Sequence, residues 1–217
     1  MRLRIGVAVL GATVLAGGCG SAPEHNAAVG SRLDDMLADE SAVNAIMGVP
    51  PLAATHSYRA LEQWPAGYSY SPAECLAVSG NAMASVYQGT RSGEVRGMLF
   101  TNDRTGTEVD EAVVAFNTVA HARDFVASTA ATWLRCSDEV LTITSADRPP
   151  RAFTIDAPRS VGATEVTDCR SQAYKGWGTA HAMRADGDIV IDVRVTGEGI
   201  GDQAVRVVNA IVDHSRV

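Results

Sequence analysis

The dipeptide Asp186-Gly187 lies between two β-prone runs, and Asp-Gly is among the strongest short-range signals for a two-residue type I′ hairpin. With these two residues as the central pair, Ala182 faces Ile191 and Ala180 faces Val193, while His181 faces Asp192 and Thr179 faces Arg194. One side of the ribbon is then apolar and the other polar, the pattern of an antiparallel sheet covered on one face. The rest of the chain must therefore supply strands that extend the ribbon and helices that cover it.

It offers both. Glu94 to Thr101 and Glu108 to Phe116 read as strands joined by the turn-rich Asn102 to Gly106, and Val140 to Thr144, Ala152 to Ile155 and Val161 to Thr167 read as shorter ones punctuated by Pro149-Pro150 and Pro158. The clearest helix begins at Asn117 or Thr118 and carries Ala122, Phe125, Val126, Thr129, Ala130 and Trp133 on one stripe, ending near Cys136. A second stripe (Ala204, Val205, Val208, Ile211, Val212) follows the N-cap candidate Asp202. Ala73 to Tyr87 reads as a third helix, and Leu33 to Met47 as helical, with Ser31 and Ser41 as N-cap candidates and Gly48 as the stop. Leu52 to Ser71, with Trp64, Tyr68 and Tyr70 among Pro, Gly and Ser, reads as an irregular loop. Strict βαβ alternation is absent, so the expected fold class is α+β: a single domain over 31–217, its antiparallel sheet packed with helices.

The N-terminus carries an address. Arg2 and Arg4 precede an apolar run from Ile5 to Leu15, too short to span a bilayer and of signal-peptide form, giving a signal peptide over 1–18. Leu15-Ala16-Gly17-Gly18-Cys19 looks like a bacterial lipobox, which makes Cys19 the lipidation site and 19–30 a lipidated tether. The expected localisation is extracytoplasmic, anchored to the cell membrane through the lipid. At −7, falling to −9 once Arg2 and Arg4 are removed, the body offers no broad basic field for nucleic acid or for anionic lipid. A composition of 46% hydrophobic and 20% charged residues is that of a globular chain and excludes disorder.

In order along the chain come Pro72-x-x-Cys75, Tyr87 before Gly89, a strand ending Val113-Val114-Ala115-Phe116, Trp133-x-x-Cys136, Gly176-Trp177 and Asp192-Val193. With these residues the segment from Ser31 to Val217 resembles the PknH-like extracellular sensor domain, a family of mycobacterial kinase ectodomains and stand-alone lipoproteins. The resemblance implies an α+β domain with a large cleft, proposed to bind an unidentified extracellular ligand, and disulfides bracing it. Cys75 with Cys136 is the favoured disulfide, with Cys136–Cys169 as its rival. Family members commonly carry a second bridge, at places that here hold Gly178, Thr179, Val195 and Thr196; Cys169 lies outside the pattern. The kinase motifs G-x-G-x-x-G, H-R-D and D-F-G are absent.

Catalytic signatures are missing as well. There is no G-x-S-x-G, no H-E-x-x-H, and the histidines at 25, 56, 121, 181 and 214 have no metal-ligand spacing, so neither enzyme activity, metal nor cofactor is expected. Gly197-x-Gly199-x-Gly201 precedes Asp202, which would repel phosphate, and reads as a loop and cap. The candidate ligand-binding set is the polar hairpin face, Trp177, Thr179, His181, Asp192 and Arg194, lining a cleft for an acidic or hydroxylated small molecule or envelope ligand, against the plainer reading of a solvated sheet face. Trp64, Tyr68 and Tyr70 form a second candidate rim. The alternative to ligand binding is an interaction or structural lipoprotein docking another envelope protein.

Overall fold

The structure, a computed structural model, describes residues 29–48, 51–64 and 66–216. The signal peptide (1–18), Cys19 and the tether as far as residue 28 lie outside the described residues. Residues 29–34 are helical (α1), so helix begins two residues before the expected domain boundary. Glu40–Met47 (α2) follows. Its N-cap is Asp39, whose carboxylate accepts from the Ala42 N–H at 2.7 Å, and not Ser41. Gly48, at φ 84°, ends it by donating to the Asn44 carbonyl.

Ten strands make one sheet in the order β1-β3-β4-β10-β9-β8-β6-β5-β2, with β7 beside β8, and every strand pairing is antiparallel. The strands are β1 Ala53–Tyr58, β2 Ser69–Ser71, β3 Ser92–Asn102, β4 Thr107–Phe116, β5 Val140–Ser145, β6 Arg148–Ile155, β7 Arg159–Val161, β8 Thr164–Ser171, β9 Trp177–Asp186 and β10 Ile189–Glu198. Helices α3 Leu76–Ser79, α4 Ala84–Tyr87, α5 Val119–Arg135 and α6 Gln203–His214 complete the fold. The α+β class and the single domain are as the sequence implies.

Alternation along the central strands builds two cores, one on each face. Val109, Val113, Ile189, Ile191, Val193 and Val195 pack with Leu33, Val43 and the α6 stripe. Ala112, Val114, Phe116, Val190 and Met183 pack with Phe125, Val126 and Trp133 of α5 and with Val78 and Tyr87 of α3 and α4. The sheet is thus covered on both faces, and the expectation of a solvated polar face is corrected. The α5 stripe, capped by Thr118 accepting from the His121 N–H at 3.2 Å, lies over the side of the hairpin that carries the polar residues.

The hairpin register differs from the expected one by two residues. Asp186 pairs with Ile189 and His181 with Arg194, so the loop is Gly187-Asp188. Only Gly187 takes positive φ, 63°, which is the pattern of a II′ turn with glycine first; centring on Asp186 would put an aspartate there instead. A shift of two preserves which residues share a face. Asp188 is held by Arg32 at 3.1 Å and its carbonyl accepts from the Phe116 N–H.

Two further expectations are corrected. The stretch from Leu52 to Ser71 contains β1 and β2, the two edge strands, whose mostly exposed residues leave no apolar alternation to read. Ala73 to Tyr87 is a 3₁₀ turn (Ala73–Cys75), α3 and α4, broken where Gly80 turns extended and Ala82 takes φ 47°. Tertiary bonds to residues 80–84 outcompete the helix: the Glu62 N–H donates to Ala82 O and the Ala84 N–H to Glu62 O, both at 2.9 Å. Pro149 and Pro150 lie inside β6, on the part of it that pairs only with β5.

Candidate ligand site

The five hairpin residues separate into a sealed pair, His181 and Asp192, an open group, Trp177 with Thr179, that borders concavities, and Arg194, which lines neither of those concavities. His181 and Asp192 are 1% and 0% exposed, so neither lines a cleft. His181 Nε2 meets Asp192 Oδ1 at 2.6 Å and Nδ1 meets the Val78 carbonyl at 3.2 Å. Asp192 Oδ2 accepts from Tyr87 Oη at 2.8 Å and from the Ala82 N–H at 2.9 Å. A carbonyl only accepts, so Nδ1 carries a proton, and a second proton must lie between Nε2 and the carboxylate. The pair is therefore electrically neutral as a unit whichever partner holds that proton, which is what full burial requires.

These contacts pin α3, the 80–83 break and α4 onto the sheet. Nearby, Tyr58 Oη donates to Asp110 at 2.8 Å, Asn81 donates to the Asp110 carbonyl at 3.1 Å, and the Trp133 indole N–H donates to Ala77 O at 2.8 Å. Burial pushes the Asp110 carboxyl above its ordinary range, opposed by the Arg194 charge. Burial likewise raises the Tyr58 and Tyr87 hydroxyls, reinforced by Asp110 and Asp192 respectively. Trp133 sits 4.8 Å from the His181 ring. Among the described residues the partners of His181 are the Val78 carbonyl and the Asp192 carboxylate, and these contacts hold structure. Tyr58, Asn81, Tyr87 and Asp110 carry no sequence signal that marks them as partners, because the contacts join residues far apart in the chain.

Cys75 and Cys136 are disulfide-bonded, with Cα atoms 5.7 Å apart, tying the 3₁₀ turn to the end of α5. Cys169 is buried and, among the described residues, free; burial, with Asp168 and Asp156 adding repulsion, pushes its thiol up to about 12, which disfavours the reactive thiolate. Thr179 and Thr196 are directly paired across β9 and β10, their hydroxyls 3.0 Å apart. A cross-strand hydrogen bond thus occupies the region where the resemblance implies a second bridge.

The open group lies where β6 and β8 part company. Their pairing covers only Phe153–Ile155 against Ser171–Cys169, and beyond it a groove of about 840 Å³ opens between residues 148–153 and 171–177. Trp177 lines it, with Phe153, Tyr174, Arg151, Lys175 and Glu198. A second concavity of about 610 Å³ adjoins it, sharing Ser171, Lys175 and Trp177 and reaching Thr179. Gly176, at φ 82°, makes the turn that presents Trp177, and the indole lies over Gly106 of the β3–β4 loop, where a Cβ would stand 3.2 Å from it.

Arg194 is four-fifths buried beside Glu108 and Asp110, at 3.4 and 3.6 Å, with its Nε unpartnered among the described residues. Tyr70 belongs to the same neighbourhood: burial raises its hydroxyl while the Arg194 and Arg151 charges oppose the rise. The Tyr70 hydroxyl and the Trp64 indole N–H are buried without partners among the described residues, the two rings 4.6 Å apart. The second rim read from sequence thus feels the charge of Arg151, which also lines the groove beside Trp177. Missed by sequence were Arg148, Arg151, Phe153, Tyr174 and Lys175. Arg148-Pro-Pro-Arg151 is a legible basic, proline-rich run, but its nearness to Trp177 depends on the β6–β8 divergence. Among the described residues no group of His, Cys, Asp and Glu could hold a metal ion.

Comparison with known proteins places this geometry. PknH, a serine/threonine-protein kinase of Mycobacterium bovis, is 29% identical over 184 residues, which is 84% of this chain and 30% of that protein. PknH of Mycobacterium tuberculosis is 29% identical over the same length, 84% of this chain and 29% of that protein. The chain thus spans less than a third of the length of these curated relatives. The crystal structure of the extracellular domain of the M. tuberculosis protein superposes with a TM-score of 0.80 at 26% identity, covering 86% of this chain and 96% of that one. The family model described as the PknH-like extracellular domain matches residues 28–214, ending with α6, and by that match this chain belongs to the PknH-like extracellular domain family.

Proposed function

We infer that this chain is a lipid-anchored extracytoplasmic protein whose single domain acts as a sensor-like module, binding a ligand in the groove between β6 and the 171–177 loop without catalysing a reaction. The observation that carries the reading is the groove itself: a concavity of about 840 Å³ lined by the aromatic side chains of Phe153, Tyr174 and Trp177 and by Arg148, Arg151 and Lys175. Membership of a family described as extracellular supports the location, and the basic and apolar segments before Cys19 support export and lipidation at that cysteine. Among the described residues no helix is long and apolar enough to cross a membrane. The relatives' kinase activity is not carried over, since the kinase motifs are absent from the sequence.

Two measurements test it. The intact mass of the protein from the producing membrane is expected to correspond to a chain starting at an acylated Cys19; an unmodified mass sinks the anchoring. An amide-resolved NMR screen with neutral, cationic and anionic compound sets is expected to yield ligands whose shifts centre on 148–153 and 171–177. Ligands that perturb only other surfaces, or none from any set, defeat the groove.

A further inference from the structure

We propose that the groove beside Trp177 takes an acidic sugar oligomer, its rings lying against the Trp177 and Tyr174 side chains and its carboxylates meeting Arg151 and Lys175. The proposal deepens the ligand-binding reading above and rests on it.

Charge comes first. The protein carries a net −7, yet the groove lining holds Arg148, Arg151 and Lys175 against the single acid Glu198. Neither Arg151 nor Lys175 has a carboxylate within 4.0 Å among the described residues, and Arg148 has only Asp147 at 3.9 Å. Elsewhere the fold pairs cations closely: Arg96 with Asp34 at 2.7 Å, Arg159 with Asp168, Arg170 with Asp156. A locally cationic trough in an acidic body concentrates anions and repels cations.

The second observation is the lining's flat surfaces. Tyr174 is 68% exposed although it is a large aromatic, and Trp177 is only partly buried, its indole backed by the Gly106 turn. Phe153, Pro149 and Pro150 continue the apolar surface. Flat apolar faces beside planar guanidinium donors suit a ring that offers C–H groups on its face and carboxylates on its rim.

The third observation separates sugars from peptides. Residues 148–152 of β6 lie beyond its pairing with β8, so this stretch is the open edge a peptide would have to extend as an added strand. Pro149 and Pro150 have no N–H to give, and the Ala152 carbonyl is already taken by the Gln172 N–H at 2.9 Å. Strand addition is blocked there, and recognition falls to side-chain rings and charges.

The test uses three probes of matched length on the intact protein: tetragalacturonate, neutral maltotetraose and a tetraglutamate peptide. The readout is the Trp177 indole N–H resonance, assigned by its loss in Trp177→Phe, together with the amides of 171–177. Tetragalacturonate is expected to shift them saturably, with maltotetraose at least about tenfold weaker, and with affinity falling as salt rises. Arg151→Ala with Lys175→Ala should abolish the preference for the acidic oligomer, and Tyr174→Ala should weaken both sugars alike. All three positions lie in the groove's rim, and an unchanged melting temperature checks the fold. Tetraglutamate binding as tightly as tetragalacturonate overturns the sugar class. So does equal binding of the neutral oligomer. No shift with tetragalacturonate, while neutral or cationic compounds shift the same residues, overturns the acidic class but leaves the groove as a ligand site; silence toward every compound overturns both.

Discussion

Glu111 is 0% exposed, and neither of its carboxylate oxygens has a hydrogen-bond partner among the described residues. It sits on the α6 side of β4, between Val109 and Val113 in a run that is otherwise apolar on that face. Burial holds its carboxyl well above the ordinary glutamate range; the nearby Ala38 amide opposes this, and Asp110 and Asp39 add to it. A carboxyl raised in the folded state contributes its stability in full below the unfolded value and loses it as pH rises toward the folded one. Glutamine has no such dependence. Glu111→Gln should therefore gain stability over the parent progressively as pH rises from about 4.5 to 7.5, in urea denaturation at each pH. A difference that stays constant with pH would show that the carboxyl is not held neutral. Gly97 poses a steric question instead. It pairs with Tyr58 across β1 and β3, and a Cβ there would stand 2.0 Å from the Tyr58 ring. Gly97→Ala must eject that ring and break its bond to Asp110, for an expected loss of about 1–3 kcal/mol. Tyr58→Ala in the same background should then cost little more, since the contact is already gone.

At the scale of elements, the disulfide shows what a single tether does for the 72–88 segment. This segment carries only short helical pieces, held by buried contacts to Asp192 and Asp110 and by the Trp133 indole. The bridge closes a separation of 61 residues, and on loop entropy its removal costs about 4 kcal/mol. Replacing both Cys75 and Cys136 by Ser should lower unfolding stability by up to that amount and raise amide exchange first over 73–88. Exchange rising uniformly across the sheet would place the effect elsewhere. The same segment marks the limit of what is legible in the sequence. The α5 and α6 stripes, the β3–β4 hairpin and the shared face of β9 and β10 follow from local period, because each element buries one side against a partner of similar length. The break at Gly80–Met83 does not, since it exists to meet Asp110, Asp192 and Glu62, residues separated from it by long stretches of chain or lying outside its own element. The edge strands β1 and β2 escape for the opposite reason: too little of them is buried to leave a pattern. Of the groove, Trp177 is legible as an aromatic at a strand start, whereas Arg151 and Tyr174 become neighbours of it only through the splaying of β6 from β8.

At the scale of the molecule, one sheet serves two cores. Val113 and Val114 are adjacent on β4 and point to opposite faces, as do Val190 and Ile191 on β10, so both helical layers rest on the same central strands, while β5 and β6 add apolar residues to the α5 side alone. A layer cannot detach without exposing one face of the strands on which the other layer depends. The chain should consequently unfold in a single cooperative transition in spite of having two separate apolar clusters. Ile211 is fully buried in the α6 layer and Phe125 is 7% exposed in the α5 layer. Ile211→Ala is expected to cost about 2–5 kcal/mol and Phe125→Ala about 3–5 kcal/mol. Because the two sites lie on opposite faces and share no contact, the costs should add to within about 0.5 kcal/mol while fluorescence and far-UV circular dichroism continue to report one midpoint. Trp133, buried in the α5 layer, supplies the local fluorescent probe for that comparison. If Ile211→Ala shifted the circular dichroism midpoint and left the Trp133 signal where it was, the layers would be melting independently, and the shared sheet would not be what couples them.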